Sequence, residues 1–326
     1  MRAWTAGWIF AIGLIAAAPA QAAAEWPAKP VKLLVGFPPG QATDAVARIL
    51  AERLSAKLKQ PVIVENRPGQ GGSIALAALA ALAKSAPDGY TMMLSATASL
   101  VTNPHLYKST GYDTLRDFEP VGLVADLPMV LVANASQPFD DVAGLRDYAK
   151  QHPGALNFSS SGNGTLSHLG MVMLQREAGL QLTHIPYQGS AKAMTDMIAG
   201  NVAIGLDTVA VTLPHIQSGR LKALAVGASQ RLPMLPDTPT FAEAGYPAFQ
   251  ANPWLGMLFP KGTPKDIVQR MNREIGEAVA TPALAQSLKS IGAFARVDTP
   301  EDFTQLLRQE YRGWGELVQL SGSRVD

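Results

Sequence analysis

The sequence predicts a two-domain α/β protein, and three observations carry that expectation. Two stretches alternate short apolar strands with helices in strand, helix, strand order. Two extended apolar segments separate these blocks from each other and from a helical C-terminal part, and Pro/Gly-rich turns punctuate the junctions. At 326 residues the chain is too long for one ordinary domain and suits two of about 100–200 residues each. With 47% apolar and 16% charged residues it has ample core material, which excludes the disordered and fibrous classes.

The first block begins with the apolar run Val31–Gly36, a strand closed by a Pro/Gly turn. Asp44–Leu58 then carries Val46, Ile49, Leu50, Leu54 and Leu58 at helical spacing, with Thr43 placed as N-cap. Pro61–Glu65 reads as a second strand and Asn66–Gly72 as a loop. Ser73–Lys84 is an alanine-rich helix capped by Ser73, and Thr91–Ser95 is a third strand. The second block repeats the grammar: helix Leu145–Gln151, strand Leu156–Ser159, a small-residue loop at Ser160–Gly164, and helix Thr165–Ala178 ending at Gly179. Strands Thr183–Ile185 and Ala203–Asp207 flank helix Ser190–Ala199, and Lys222–Val226 closes the set. Thr263-Pro264 and Thr299-Pro300 open two amphipathic C-terminal helices. If the extended segments Pro120–Ala133 and Trp254–Pro260 both cross between domains, the second domain is an insertion. Residues 25–123 and 252–326 then form domain 1, and 124–251 form domain 2.

The first 24 residues read as an export signal. Arg2 is a short basic start, Trp4 to Ala18 an apolar stretch, and Pro19 with Ala20 to Ala24 ends in an Ala-x-Ala pattern. The apolar run is shorter than the roughly 20 residues a spanning helix needs. Cleavage removes one of 27 basic residues and leaves 26 against 26 acidic ones, a neutral product with no field for nucleic acid or anionic lipid. Zero cysteines exclude disulfides, thiolate metal sites and lipidation at cysteine. A soluble, exported and unanchored product retained by an outer barrier points to the periplasm.

Catalytic and cofactor signatures are weak. There is no Gly-x-Ser-x-Gly elbow, no phosphate-binding Gly-Lys-Ser/Thr loop and no His-x-x-x-His pair, and the dinucleotide pattern at Gly69-Gln70-Gly71-Gly72 fails at Ile74. No metal or cofactor is expected. What remains is two polar loops, each between a strand and a helix: Phe37-Pro38-Pro39-Gly40-Gln41-Ala42-Thr43-Asp44 and Ser159-Ser160-Ser161-Gly162-Asn163-Gly164-Thr165. Helix starts expose unpaired N–H groups and the positive end of the peptide dipoles, and glycines let a ligand approach that backbone. Two such loops facing each other would hold an anion without arginine or lysine, and neither contains one. Asp44 already answers part of the first dipole, so it is expected to orient the loop rather than touch an anion.

At these residues the chain resembles the tripartite tricarboxylate transporter receptor family, the Bug-type extracytoplasmic solute-binding proteins. The likeness rests on Phe37–Gly40 with Thr43-Asp44, Val64–Gly69 with Gly71-Gly72, Ala86–Tyr90, Asn103-Pro104, Ser160–Thr165 with Ser167-His168-Leu169, His184–Tyr187, Leu213–His215, Leu235–Thr240 and Glu243–Gly245. It implies a two-domain periplasmic binding fold (type II, the Venus flytrap kind) with two crossing strands and a cleft between lobes. It further implies a small carboxylate ligand: a di- or tricarboxylate, an acidic amino acid or an aromatic acid. The resemblance places Phe37, Pro38, Gly40, Gln41, Thr43, Ser160, Ser161, Gly162, Asn163, Gly164 and Thr165 around the carboxylate, with Thr97, Ser99 and Asp207 lining the cleft. Inner-membrane permease subunits are the implied partners, and a monomer suits the mechanism.

Two departures stand out. Gln41 replaces a second glycine, and Leu100 replaces a frequent histidine, which would make that wall apolar. With Phe37, Leu100 favours a monocarboxylate or aromatic acid over a plain tricarboxylate. Two alternatives stay open: a sensory module docking on a signalling receptor, and a hydrolase using Ser160 or Ser161 with His168.

Overall fold

A computed structural model describes residues 26–85, 87–247, 249 and 252–325, so the expected export signal lies outside the described residues. The chain opens with β1 (Val31–Val35), α1 (Ala42–Leu58), β2 (Val62–Asn66), a single 3-10 turn (Gln70–Gly72), α2 (Ser73–Leu82) and β3 (Thr91–Ala96). Two short helices, α3 (Thr97–Val101) and α4 (Asn103–Leu106), lead to β4 (Phe118–Asp126). A second set follows: β5 (Met129–Asn134), α5 (Val142–Gln151), β6 (Asn157–Ser160), α6 (Leu166–Ala178), β7 (Thr183–Pro186), α7 (Ser190–Ile198), β8 (Ile204–Thr208), α8 (Val209–Gln217) and β9 (Leu221–Val226). The chain then returns through β10 (Trp254–Pro260), α9 (Lys265–Val279), α10 (Pro282–Ser290), β11 (Phe294–Ala295) and α11 (Pro300–Ser321).

The strands form two sheets, ordered β11-β4-β10-β3-β1-β2 and β7-β6-β8-β5-β9. The apolar patterns explain the layers. Helix α1 buries Val46, Leu50, Leu54 and Leu58, and α9 buries Ile267, Met271 and Ile275, each along one stripe. Strand β10 lies inside the six-stranded sheet and is buried along its whole length, which its unbroken apolar run anticipates. One apolar cluster runs from Leu76 and Met93 through Phe303 and Trp314 of α11 to Leu169 and Leu174 of α6, so the two halves share packing.

Strand direction decides where the loops go. In the first sheet β1 runs parallel to β2 and β3, while β10 is antiparallel to both β3 and β4. The carboxyl ends of β1, β2, β3 and β4 therefore share one edge with the start of β10. In the second sheet β6 is parallel to β7 and β8, and β5 is antiparallel to β8 and β9. Its shared edge holds the ends of β6, β7, β8 and β9 and the start of β5. Only Leu127 and Pro128 separate the end of β4 from the start of β5. From Asp126 to Met129 the chain reaches about 10 Å at most, so it holds the carboxyl edges of the two sheets close together at this point. The return crossing ends beside it, where the Leu127 N–H donates to the Pro253 carbonyl at 2.7 Å.

Several sequence expectations shift here. Pro120–Ala133 is not one segment but two strands in different sheets, and β4 stays in the first sheet as far as Asp126. Trp254–Pro260 does not cross at all, because the crossing precedes it. Neither Thr43 nor Ser73 is an N-cap: Gln41 and Gly72 hold those positions without a side-chain bond, and Thr43 is buried inside α1. Helices α3, α4, α8 and α10 have no counterpart in the sequence reading; α3 and α4 are too short to show a period.

Candidate ligand-binding site

The first loop is shaped by Asp44. Its carboxylate accepts the Gly40 N–H at 2.8 Å, Arg48 Nε at 3.0 Å and Asn66 Nδ2 at 2.9 Å, while Asn66 also reaches the Phe37 carbonyl. Burial raises the acid's pKa, but the bonds from Arg48, Gly40 and Asn66 outweigh it and hold the carboxyl below its ordinary value. Pro38, Gly40 and Gln41 are left exposed, ahead of the α1 first-turn amides. The loop packs on its neighbours through missing side chains: a Cβ on Gly36 would stand 2.5 Å from the Gly72 Cα, and one on Gly72 2.5 Å from Ser99 Oγ.

Thr97 and Ser99 sit behind this surface. The Thr97 hydroxyl donates to the Trp254 carbonyl and accepts the Trp254 N–H, and Ser99 Oγ donates to the Gly71 carbonyl at 2.6 Å. Both side chains are buried. Their hydroxyls brace the α3 start against β10 and the Gln70–Gly72 turn. Leu100 corrects an expectation: it is fully buried in the core cluster and lines no wall. Phe37 is half-buried and packs against the apolar core with its ring edge near Gly72. Of the two residues behind the aromatic-acid expectation, Leu100 drops out and Phe37 stays at the loop.

The second loop caps α6. Thr165 Oγ1 accepts the His168 N–H and donates to the Gly162 carbonyl, and Ser167 Oγ meets both Ser161 Oγ and Thr165 Oγ1 at 2.9 Å. Ser160 Oγ lies 2.7 Å from His184 Nε2, and the Gly164 N–H donates to His168 Nδ1 at 3.1 Å. Asn163 is exposed, and Ser161, Gly162 and Thr165 are half-exposed. Asp207 ends β8 next to this loop, since Ser159 pairs with Gly205 in parallel register. Its carboxylate is 6% exposed, accepts the Thr208 N–H and meets Ser190; burial pushes its pKa up against those bonds.

The two loops flank one block. The 3-10 turn beneath the first loop is held by Asn103 Nδ2, which donates to the Gln70 and Gly71 carbonyls. Gly164 of the second loop presses on Leu106, three residues further on, where a Cβ would meet Leu106 Cδ2 at 2.6 Å. His184 is the participant that sequence reasoning missed, and its partner is Ser160. A Ser–His pair would have been the signal, but the two lie 24 residues apart on neighbouring strands. The hydrolase reading finds no support: Ser160 is 2% exposed, and Ser161 faces Ser167 rather than His168.

Two α/β lobes joined at facing carboxyl edges, with a glycine loop and a helix start on each, define the class of two-lobed solute-binding proteins. The sequence profile of the tripartite tricarboxylate transporter family receptor matches residues 46–322. BugT of Bordetella pertussis (strain Tohama I) is 39% identical over 92% of this chain and 91% of its own. Among solved structures, the periplasmic binding protein BugD is 37% identical with TM-score 0.73, covering 92% of this chain and 99% of that one. Rpa4515 of R. palustris, solved with adipate, is 32% identical with TM-score 0.78 over 92% and 100%. MatC from Rhodopseudomonas palustris with bound malate is 30% identical with TM-score 0.73 over 90% and 100%. The chain belongs to the tripartite tricarboxylate transporter receptor family, whose members are solute-binding proteins.

Proposed function

We propose that this protein captures a small aliphatic dicarboxylate between its lobes and presents the closed form to inner-membrane permease subunits. What supports the reading is that both loops, Phe37–Thr43 and Ser160–Thr165, follow strands at the carboxyl edges that the two-residue crossing joins. Pro38, Gly40, Gln41, Ser161, Gly162, Asn163 and Thr165 are the proposed contact surface, with Phe37, Thr43, Thr97, Ser99, Ser160 and the buried Gly164 supporting it from behind. Asp207 would receive a hydroxyl or protonated group of the ligand. The relatives solved with adipate and malate support a dicarboxylate, and Leu100, buried in the core, adds nothing in favour of an aromatic acid.

The rest of the reading follows. The hinge lies at the crossings near residues 124–128 and 252–253, dividing 25–123 with 252–326 from 124–251. Capture proceeds without covalent chemistry, by a monomer delivered to the periplasm after cleavage of residues 1–24. Contacts made only in the closed form drive closure. A thermal-shift screen followed by calorimetry, using adipate, malate, citrate and benzoate, tests it. Adipate or malate should raise the melting temperature and bind one to one. Stabilisation by benzoate alone, or by none of the four, would overturn the ligand class.

A further inference from the structure

Behind the second loop three rings stand in a stack. The His168 and His184 centroids are 3.9 Å apart with planes 6° from parallel, and Phe158 lies under His184 at 4.7 Å and 16°. The register makes this: Phe158 of β6 pairs directly with His184 of β7, and His168 sits in the first turn of α6 above them. Each imidazole holds one part of the loop. His184 Nε2 meets Ser160 Oγ at its start, and His168 Nδ1 accepts the Gly164 N–H near its end. Ser323, just beyond α11, brings its hydroxyl to 3.4 Å from the same Nδ1, so that nitrogen also faces the other lobe.

A ring nitrogen can accept an N–H only while it is bare; a protonated imidazole donates from both nitrogens and accepts at neither. His168 must therefore be neutral, with its proton on Nε2, for the Gly164 bond to exist. Stacked imidazoles at this spacing tolerate neutrality and oppose double charge. We propose that the His168–His184 stack is a positioning pair for the ligand loop, holding it when neutral and releasing it when protonated, so that acid weakens ligand retention. This rests on the Ser160–Thr165 loop being a ligand half-site.

Charged groups on the elements packed against the pair include Asp207 of β8, Lys192 and Asp196 of α7, and Glu310 and Glu316 of α11, the last two beside Met173 and Arg176 rather than at the α6 start. Strand β6 carries no ionisable side chain, and β7 none but His184. Helix α6 bears Arg176 and Glu177, roughly two turns beyond His168. On α4, the His105 ring is turned to the Tyr311 carbonyl, and Arg324 on the C-terminal segment is exposed. Burial, then the neighbouring His168, push His184 down to about 4, and burial lowers His168 as well. The neutral stack is thus the resting state above the ordinary histidine range.

Imidazole-nitrogen and amide NMR of the whole mature protein, titrated downward from about pH 7.5, tests this without any ligand. His168 should show the Nε2–H tautomer. Gly164 amide protection should fall about tenfold as the imidazoles titrate, while β5 amides stay protected. His168→Asn and His184→Gln replace the two imidazoles with amides that do not titrate, and the double variant should flatten that profile. Adipate affinity gives a second readout: from near neutral to acid it should fall about tenfold more in wild type than in the double variant, a ratio that cancels the ligand's own titration. An Nδ1–H tautomer, an unchanged Gly164 amide across the titration, or loss of β5 protection together with the loop would each overturn the proposal. Failure of adipate to bind at any pH would count against the ligand class alone, since the loop titration is read on the free protein.

Discussion

Asp44 shows how much one side chain fixes. It meets three donors on three segments, Gly40, Arg48 and Asn66, and so sets the turn ahead of α1. Asp44→Asn keeps the shape but turns an acceptor into a donor facing Gly40 or Asn66. Denaturation by urea should show a loss of about 1–3 kcal/mol at neutral pH, with ligand affinity falling alongside. The folded carboxyl is held below its unfolded value of 3.8, so this stability is present above that pH and is lost as pH falls through the folded value. Gly36→Ala should be worse tolerated than a surface change, because its Cβ would meet the backbone of Gly72, which has no side chain to swing aside. An overpacking loss of about 1–3 kcal/mol is expected on thermal melting. The orienting role of Asp44 was legible, since an acid one turn into a helix after a glycine has few other uses. Leu100 was not: it falls in a five-residue helix, where no period tells core from cleft.

At the scale of elements, the helix starts divide by what caps them. Asp141, Thr165, Thr281 and Thr299 cap α5, α6, α10 and α11 with side-chain oxygens. Gln41 and Gly72 cap α1 and α2 with none, and both face the loop edge. Thr43 and Ser73 fit as caps by residue type, but α1 starts at Ala42 and α2 at Ser73 itself, after turns that bend at Gly40 and Gly72. Thr165→Ala and Thr299→Ala should each cost about 1 kcal/mol of stability as lost caps. Calorimetry should separate them: Thr165→Ala also loses the bond to the Gly162 carbonyl and should weaken ligand binding, while Thr299→Ala should leave it unchanged. The strand–helix alternation was readable where an apolar period shows; α8, a nine-residue helix with Pro214 inside it, escaped. The change of sheet inside Pro120–Ala133 was not, since β4 and β5 are both apolar and only Leu127-Pro128 marks the break.

Over the whole molecule, two half-buried titratable groups pull stability in opposite directions. Burial drives Glu310 of α11 up to about 7, against the bonds from the Trp254 and Trp314 indoles. A carboxyl raised from 4.5 contributes stability below that value and loses it as pH rises through about 7. His184, lowered from 6.5 to about 4, contributes above 6.5 and loses it as pH falls toward 4. Glu310→Gln keeps an acceptor for the Trp254 indole and removes the ionisation. Melting curves should show it more stable than wild type by about 1–2 kcal/mol at alkaline pH and indistinguishable from it in acid. Trp254 also ties the crossing to the start of α3, since its backbone is clasped by Thr97 one residue after Pro253 takes the Leu127 N–H. With the two crossings laced together at that bond, the lobes are bound like facing pages along a spine rather than on a ball joint. If the lobes close on a ligand as proposed, a seam of this kind leaves them one direction in which to fold together.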